Sequence, residues 1–245
     1  MKFALVNGEK VEATKGAKGV CQYCESPVSA FCGDVYAHHW KHDKKVKCDP
    51  WWENETEWHR AWKNQFPEKW QEVRHYDKSG ELHIADVKTD NDWVIEFQHS
   101  FLKPEERQSR NNFYKKLIWV VNGKRRKTDI KQFDKILKEE SIKIADNPPT
   151  IKVRFPEECR LFNEWAHSDS LVLFDYSGDA ENQNTLLWFL YPKMGSGNIY
   201  LSYINKSGFV ELSNNDGFEK LVNDVITPMH KEVLPLYEKN QRHYY

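Results

Sequence analysis

Along residues 2–14 apolar and polar positions alternate around Asn7 and Gly8. That dipeptide suits the positive φ angles of a type I′ turn, so the pattern predicts an opening hairpin. From Gly16 to Pro50 the apolar period fades and Cys, His, Lys and Gly dominate, the mark of a segment organised by a metal rather than by an apolar face. A helix is then predicted from about Asn54, capped with Glu57 three residues on, to the break at Pro67, with Trp58 and Trp62 one turn apart. Three strand-like runs follow, EVRHY, ELHIADVKT and DWVIEFQHS, separated by KSG and by an Asp90, Asn91, Asp92 turn; they predict a meander. Pro104 fits the first turn of a helix through Lys116, and LIWVV reads as a strand stopped by Asn122 and Gly123. A strand–helix–strand crossover results. KRRKTDIKQFDKILKEE supports another helix, and Pro148 and Pro149 mark the expected internal boundary. Beyond it LVLFDY, TLLWFLYP, NIYLSYI and FVELS read as antiparallel strands, before a helically spaced stretch from Gly217 to Asn240 that Pro228 and Pro235 should break or kink. Three regions are therefore expected: 1–50, 51–147 and 148–245.

The totals sharpen this picture in two ways. A chain of 245 residues that is 39% hydrophobic and 30% charged, with 10 Trp and 11 Tyr, can bury one large core or two modest ones. Its formal net charge of −1 predicts no bulk attraction to a polyanion, so nucleic-acid contacts must come from local patches such as Lys41 to Lys47 or Lys124 to Lys127. Such runs are more often ordinary solvated faces. Trp40, Trp51 and Trp52 can stack on single-stranded bases or pack in the core. No long apolar leader or membrane-length stretch is present in the sequence, and a cytoplasmic protein without a membrane partner is expected.

The chemistry concentrates in the meander. If ELHIADVKT and DWVIEFQHS pair about a turn centred on Asn91, facing residues have numbers summing to 182 and Asp86 lies opposite Glu96. Gln98 and Lys88 share that face, while Ala85, Val87, Ile95 and Phe97 form an apolar set on the other. Two carboxylates about 5 Å apart repel by roughly 3 kcal/mol at an effective dielectric near 20. A divalent cation relieves that repulsion, and Mg²⁺ (or Mn²⁺) would also bridge to a substrate phosphate and activate water for phosphodiester hydrolysis. The Gln98 amide cannot supply a lysine's positive charge, which leaves Lys63 or Lys88 to do so. The bland account of the same face is a set of cross-strand ion pairs.

Upstream, Cys21 and Cys24 can hold one ion from a tight turn, with His39 and His42 completing a Cys₂His₂ zinc set; Cys32, His38 and Cys48 are near enough to replace a ligand. Four protein ligands leave no open position, so the expected role is structural. Cys159 stands alone downstream.

Taken in order, CQYC with HWKH, ETEWH followed by Lys63, IADV, IEFQHS, the Arg110 and Tyr114 spacing and IWVV resemble the nuclease-like domain of the CoiA-like competence proteins, over about Cys21 to Val121. That domain belongs to the PD-(D/E)xK superfamily. The resemblance implies an α/β (α+β) fold whose central mixed sheet is flanked by helices, here with an N-terminal zinc knuckle and a β-rich C-terminal extension. It implies Asp86 and Glu96 as metal ligands, Glu55 completing the acidic cluster from the first helix, and Gln98 at the usual lysine position. His59 and Lys63 follow Glu55 at i+4 and i+8, so all three can face one cleft. Arg107, Arg110 and Tyr114 recur at near-helical spacing, suited to a phosphate of single- or double-stranded DNA or to buttressing the acidic residues. DNA processing in competence, or a related role in phage defence, is the expected setting. A DNA-binding accessory that retains the fold is the alternative, and the C-terminal region is a candidate surface for a protein partner.

Overall fold

The computed structural model describes residues 1–33, 37–44, 48–49, 51, 55–179, 181–192, 197–214 and 216–241, the side chains of 237, 238, 240 and 241 excepted. Two compact units divide it, Met1–Lys88 and Thr89–Tyr245. The division falls in the second turn of the meander. Around Pro148 the chain turns back at once into a paired strand.

The first unit opens with the expected hairpin: β1 (Phe3–Val6) pairs antiparallel with β2 (Glu9–Glu12), and Asn7 and Gly8 both take positive φ, 53° and 85°. Three further strands, β3 (Lys18–Val20), β4 (Pro27–Phe31) and β5 (His39–His42), complete a five-stranded sheet in the order β2-β1-β3-β4-β5. One face packs Ala4, Val28 and Trp40 together, so Trp40 belongs to the core. Helix α1 (Glu57–Lys63) starts two residues later than predicted: Thr56 is its cap, accepting from the His59 N–H while the His59 ring accepts from the Thr56 N–H. Asn54 lies outside the described residues. Trp58 and Trp62 point inward as their spacing demands. The unit closes with the antiparallel pair β6 (Gln71–Tyr76) and β7 (Leu82–Lys88). Burial alternates strictly along β7: His83, Ala85 and Val87 are buried, and Ile84, Asp86 and Lys88 occupy the other face.

In the second unit the strands run in the order β10-β11-β14-β13-β12-β9-β8. β8 (Val94–Gln98) crosses through α2 (Pro104–Phe113) to a parallel β9 (Leu117–Asn122), the predicted crossover. The chain continues through α3 (Asp129–Glu139), the β10 (Ser141–Asp146) and β11 (Pro149–Val153) hairpin, and α4 (Arg160–Trp165) to β12 (Leu171–Asp175), which lies parallel to β9. β13 (Leu186–Leu190) and β14 (Ile199–Asn205) extend the sheet antiparallel, making it mixed. Trp119, Phe162, Trp165, Phe174 and Tyr176 fill the core against it, and Cys159 is buried there too.

FVELS is not a strand. It lies in α5 (Lys206–Leu212), whose first turn is capped by Asn205 accepting from the Gly208 N–H; five apolar-rich residues are too few for period alone to decide between the two. The final stretch is helical as predicted, from α6 (Gly217–Lys220) through two π-helical segments, Leu221–Ile226 and Met229–Val233, to α7 (Leu234–Gln241). Pro228 caps the second π segment, so its missing N–H falls where the bonding pattern is already wide. No helix among the described residues is long and apolar enough to cross a membrane.

Candidate functional site

Two clusters in the first unit carry chemistry. In one, Cys21, Cys24, His42 and Cys48 bring their ligand atoms within 4.8 Å of one another and could hold a metal ion such as zinc. The Cys21 and Cys48 sulfurs are 3.6 Å apart, and Cys24 Sγ lies 3.2 Å from His42 Nε2. Tetrahedral zinc with Zn–S bonds near 2.3 Å requires sulfurs about 3.8 Å apart, so the spacing fits with little movement. A hydrogen bond with Cys48 outweighs the cost of burial and brings Cys21 down to about 4, while Cys48 is pushed up in return.

His39 is not part of this cluster, and Cys48 replaces it. His39 and His42 are three residues apart on β5, facing Phe31 and Val28 of β4 respectively. Residues at odd spacing on a strand point to opposite faces. His39 Nδ1 instead lies 2.8 Å from the Ala37 carbonyl oxygen, and its ring stacks on Phe31. The usable signal was the fourth cysteine of the chain, Cys48.

The second cluster is built around Lys63. Its buried ammonium lies 2.7 Å from Glu55, 2.9 Å from Glu72 and 3.9 Å from Asp86. Glu55 also pairs with Arg60 at 3.2 Å, so its carboxylate is held between two cations. Although burial opposes it, the Lys63 ammonium holds Glu55 below the usual carboxylate range. Lys63 pays desolvation too, but the Glu72 and Glu55 carboxylates raise it above an ordinary lysine. His59 is buried, with Nδ1 used in the helix cap. Asp86 is the most accessible carboxylate of the group, its side chain 26% exposed.

Glu72 was not visible in the sequence, where it begins an ordinary strand. It is buried, adopts a positive φ of 44°, and accepts three donors: the Lys2 N–H (2.7 Å), the Phe3 N–H (3.1 Å) and Lys63 Nζ (2.9 Å). A left-handed non-glycine residue costs on the order of 1–3 kcal/mol and persists only where its surroundings over-determine it. Burial acts to raise this carboxyl, but the Lys63 and Met1 ammonium groups and the Lys2 N–H bring it to about 2. Because the folded value is depressed, the stabilisation is fully present above the unfolded value and disappears as pH falls from about 5 through 2, amounting to about 3 kcal/mol. In Glu72→Gln that component is absent, so urea midpoints of variant and native chain should converge as pH falls from 6 to 2.5; a constant gap would refute this account.

The remaining predicted residues lie in the second unit. Glu96 is buried in mid-strand and pairs with Arg110 at 3.2 Å; Arg110 also pairs with Glu106 at 2.6 Å and lies over the Trp119 ring. Arg110 therefore buttresses an acidic residue rather than presenting itself to phosphate. Arg107 donates to the Glu164 carbonyl and lies over Trp165, and Tyr114 is buried against Phe113. Arg107 faces α4, and Tyr114 follows the last residue of α2 into the core. Gln98 is buried and donates its amide to Ser100 O at 3.1 Å. In the basic run after β9, Arg125 and Arg126 are tied to Glu164 and Asp129, and Lys124 donates to the Ser177 carbonyl. Of the 41–47 run, Lys45, Val46 and Lys47 lie outside the described residues, as does Trp52; Trp51 stacks on His83.

No protein-family model, curated protein or solved structure matches this chain.

Proposed function

We propose that this chain is a metal-dependent nuclease that hydrolyses DNA phosphodiester bonds, of the PD-(D/E)xK kind and resembling the CoiA-like proteins. The observation that carries the proposal is the Lys63 ammonium beside Asp86, 3.9 Å away. Gln98 stands where that kind of site has lysine; Lys63, reaching in from α1, brings the missing positive charge to the acidic group. The mixed sheet and the parallel β8–α2–β9 crossover support the same reading. So does the second turn of the meander, closed by the Thr89 N–H donating to the Trp93 carbonyl, two residues whose numbers sum to 182.

In this proposal Asp86 and Glu96 are the protein's ligands to Mg²⁺ or Mn²⁺, an ion commonly held by one or two carboxylates with water and substrate phosphate filling the rest. When bound, the ion activates a water and stabilises charge on the phosphate oxygens. Glu55 and Glu72 hold Lys63 charged and aimed, Arg110 orients Glu96, and the Gln98 amide positions a neighbouring polar group. Zinc in the Cys21, Cys24, His42 and Cys48 cluster is structural.

The test uses supercoiled plasmid with Mg²⁺ or Mn²⁺. Cleavage is expected, and Asp86→Ala or Glu96→Ala should each reduce it by about 10³-fold or more, the scale of losing a group that stabilises transition-state charge. Uncut plasmid bound tightly by the native chain would reject catalysis in favour of a DNA-binding accessory, a reading that the buried Glu96–Arg110 pair and Gln98 also accommodate.

A further inference from the structure

The metal-binding cluster and the Lys63 cluster are joined by two separate grips, one through Glu72 of the Lys63 cluster itself and one through Asp49, which belongs to neither. The first runs along β1. Cys21 Sγ lies 3.7 Å from Met1 Sδ, and the Met1 carbonyl accepts from the Trp40 N–H at 2.9 Å, on the strand that carries His42. The next two residues donate their N–H groups to the two oxygens of Glu72, which in turn receives Lys63. One buried carboxylate thus holds the start of β1 and the ammonium beside Asp86.

The second grip starts at the ligand that sequence spacing passed over. Cys48 is followed directly by Asp49, whose Oδ1 lies 2.9 Å from His83 Nδ1 and whose Oδ2 accepts the Ile84 N–H at 3.0 Å. The same Asp49 Oδ1 accepts the Trp51 N–H at 2.9 Å, and the Trp51 ring covers His83. Asp49 therefore holds β7 at Ile84, two residues from Asp86 and on the same face. Both ends of the metal-binding segment are fastened to the β6–β7 hairpin.

We propose that occupancy of the Cys21, Cys24, His42 and Cys48 cluster sets the position of Asp86, with Glu72 and Asp49 as the positioning residues that transmit it. The proposal rests on the nuclease reading for the meaning of Asp86, but the coupling is a property of the first unit alone. A structural metal site is ordered by its ion, because the ligands have no reason to converge without it. Loss of the ion frees Cys21 and Cys48 together, and with them the anchored starts of both grips. Packed and hydrogen-bonded elements carry such a change where flexible ones would absorb it.

The test follows amide exchange by mass spectrometry in the full chain loaded with Co²⁺, whose thiolate absorption reports occupancy of the cluster. Removing the metal should speed exchange across β7 by about tenfold or more while β9 keeps its protection. Loaded Glu72→Gln and Asp49→Asn should keep the cobalt spectrum yet exchange β7 at rates approaching those of the metal-free chain. The proposal is overturned if β7 exchanges equally slowly with and without metal. Should metal removal release β9 as well, the loaded variants decide: native-like β7 protection in both overturns it, and fast exchange supports it. Exchange is read without DNA. A chain that never cuts plasmid but loosens β7 on metal loss keeps the coupling and rejects only the nuclease.

Discussion

Lys63→Met is expected to destabilise the first unit by about 3–5 kcal/mol, the usual cost of removing one partner from a buried ionic cluster. The ammonium neutralises Glu55 and Glu72 at 2.7 and 2.9 Å, and both carboxylates are buried. Without it two negative charges face each other across a space that methionine fills with apolar atoms, and Arg60 balances Glu55 alone. Equilibrium urea unfolding of native and variant chains measures the loss. A double variant, Lys63→Met with Glu72→Gln, should recover part of it, since it removes one of the stranded charges and the two sites share a contact. A single-variant loss below about 1 kcal/mol would mean that solvent screens the cluster, as it screens a surface pair. DNA cleavage should vanish in the single variant and stay absent in the double, which separates the chemical role of the ammonium from its structural one.

Metal removal is the second large effect. Structural zinc in small domains contributes on the order of 10 kcal/mol at neutral pH, comparable to the whole net stability of a single domain. A chelator should therefore abolish the cooperative unfolding of the first unit, seen by circular dichroism and tryptophan fluorescence, and added zinc should restore it. The same measurement discriminates the ligand sets. Cys48→Ala should lower bound zinc well below one equivalent and mimic the chelated chain, whereas His39→Ala should leave zinc content unchanged because that imidazole lies against Phe31 on the other face of β5. The reverse result would restore the Cys₂His₂ set.

These expectations rest unevenly on what could be read from residues alone. The Asn7-Gly8 turn, the helix opened by Pro104, the LIWVV strand and the two faces of β7 were all legible, because each depends on local φ preferences or on a two-residue period. The meeting of Lys63 with Glu55 was not legible from i+8 spacing, because Glu55 precedes the Thr56 cap and is not on the helix. Nor was the α5 helix, because its apolar run is too short to carry a period. Cys48 over His39 was missed for a subtler reason: the His-x-x-His spacing that works on a helix fails on a strand, and the strand was not predicted there.

Local pattern, then, determined where strands and helices begin, which face of each is apolar, and which titratable residues stand at polar positions. It could not determine which charges meet. Glu72 reaches Lys63 and β1 through a left-handed backbone, and Asp49 reaches β7 across 34 residues of chain. Such contacts depend on long-range packing that closes distances no window of sequence contains, and on strain tolerated only because the buried partners repay it. Whether a carboxylate is an open ligand or a clamp on a neighbouring lysine is decided by that packing.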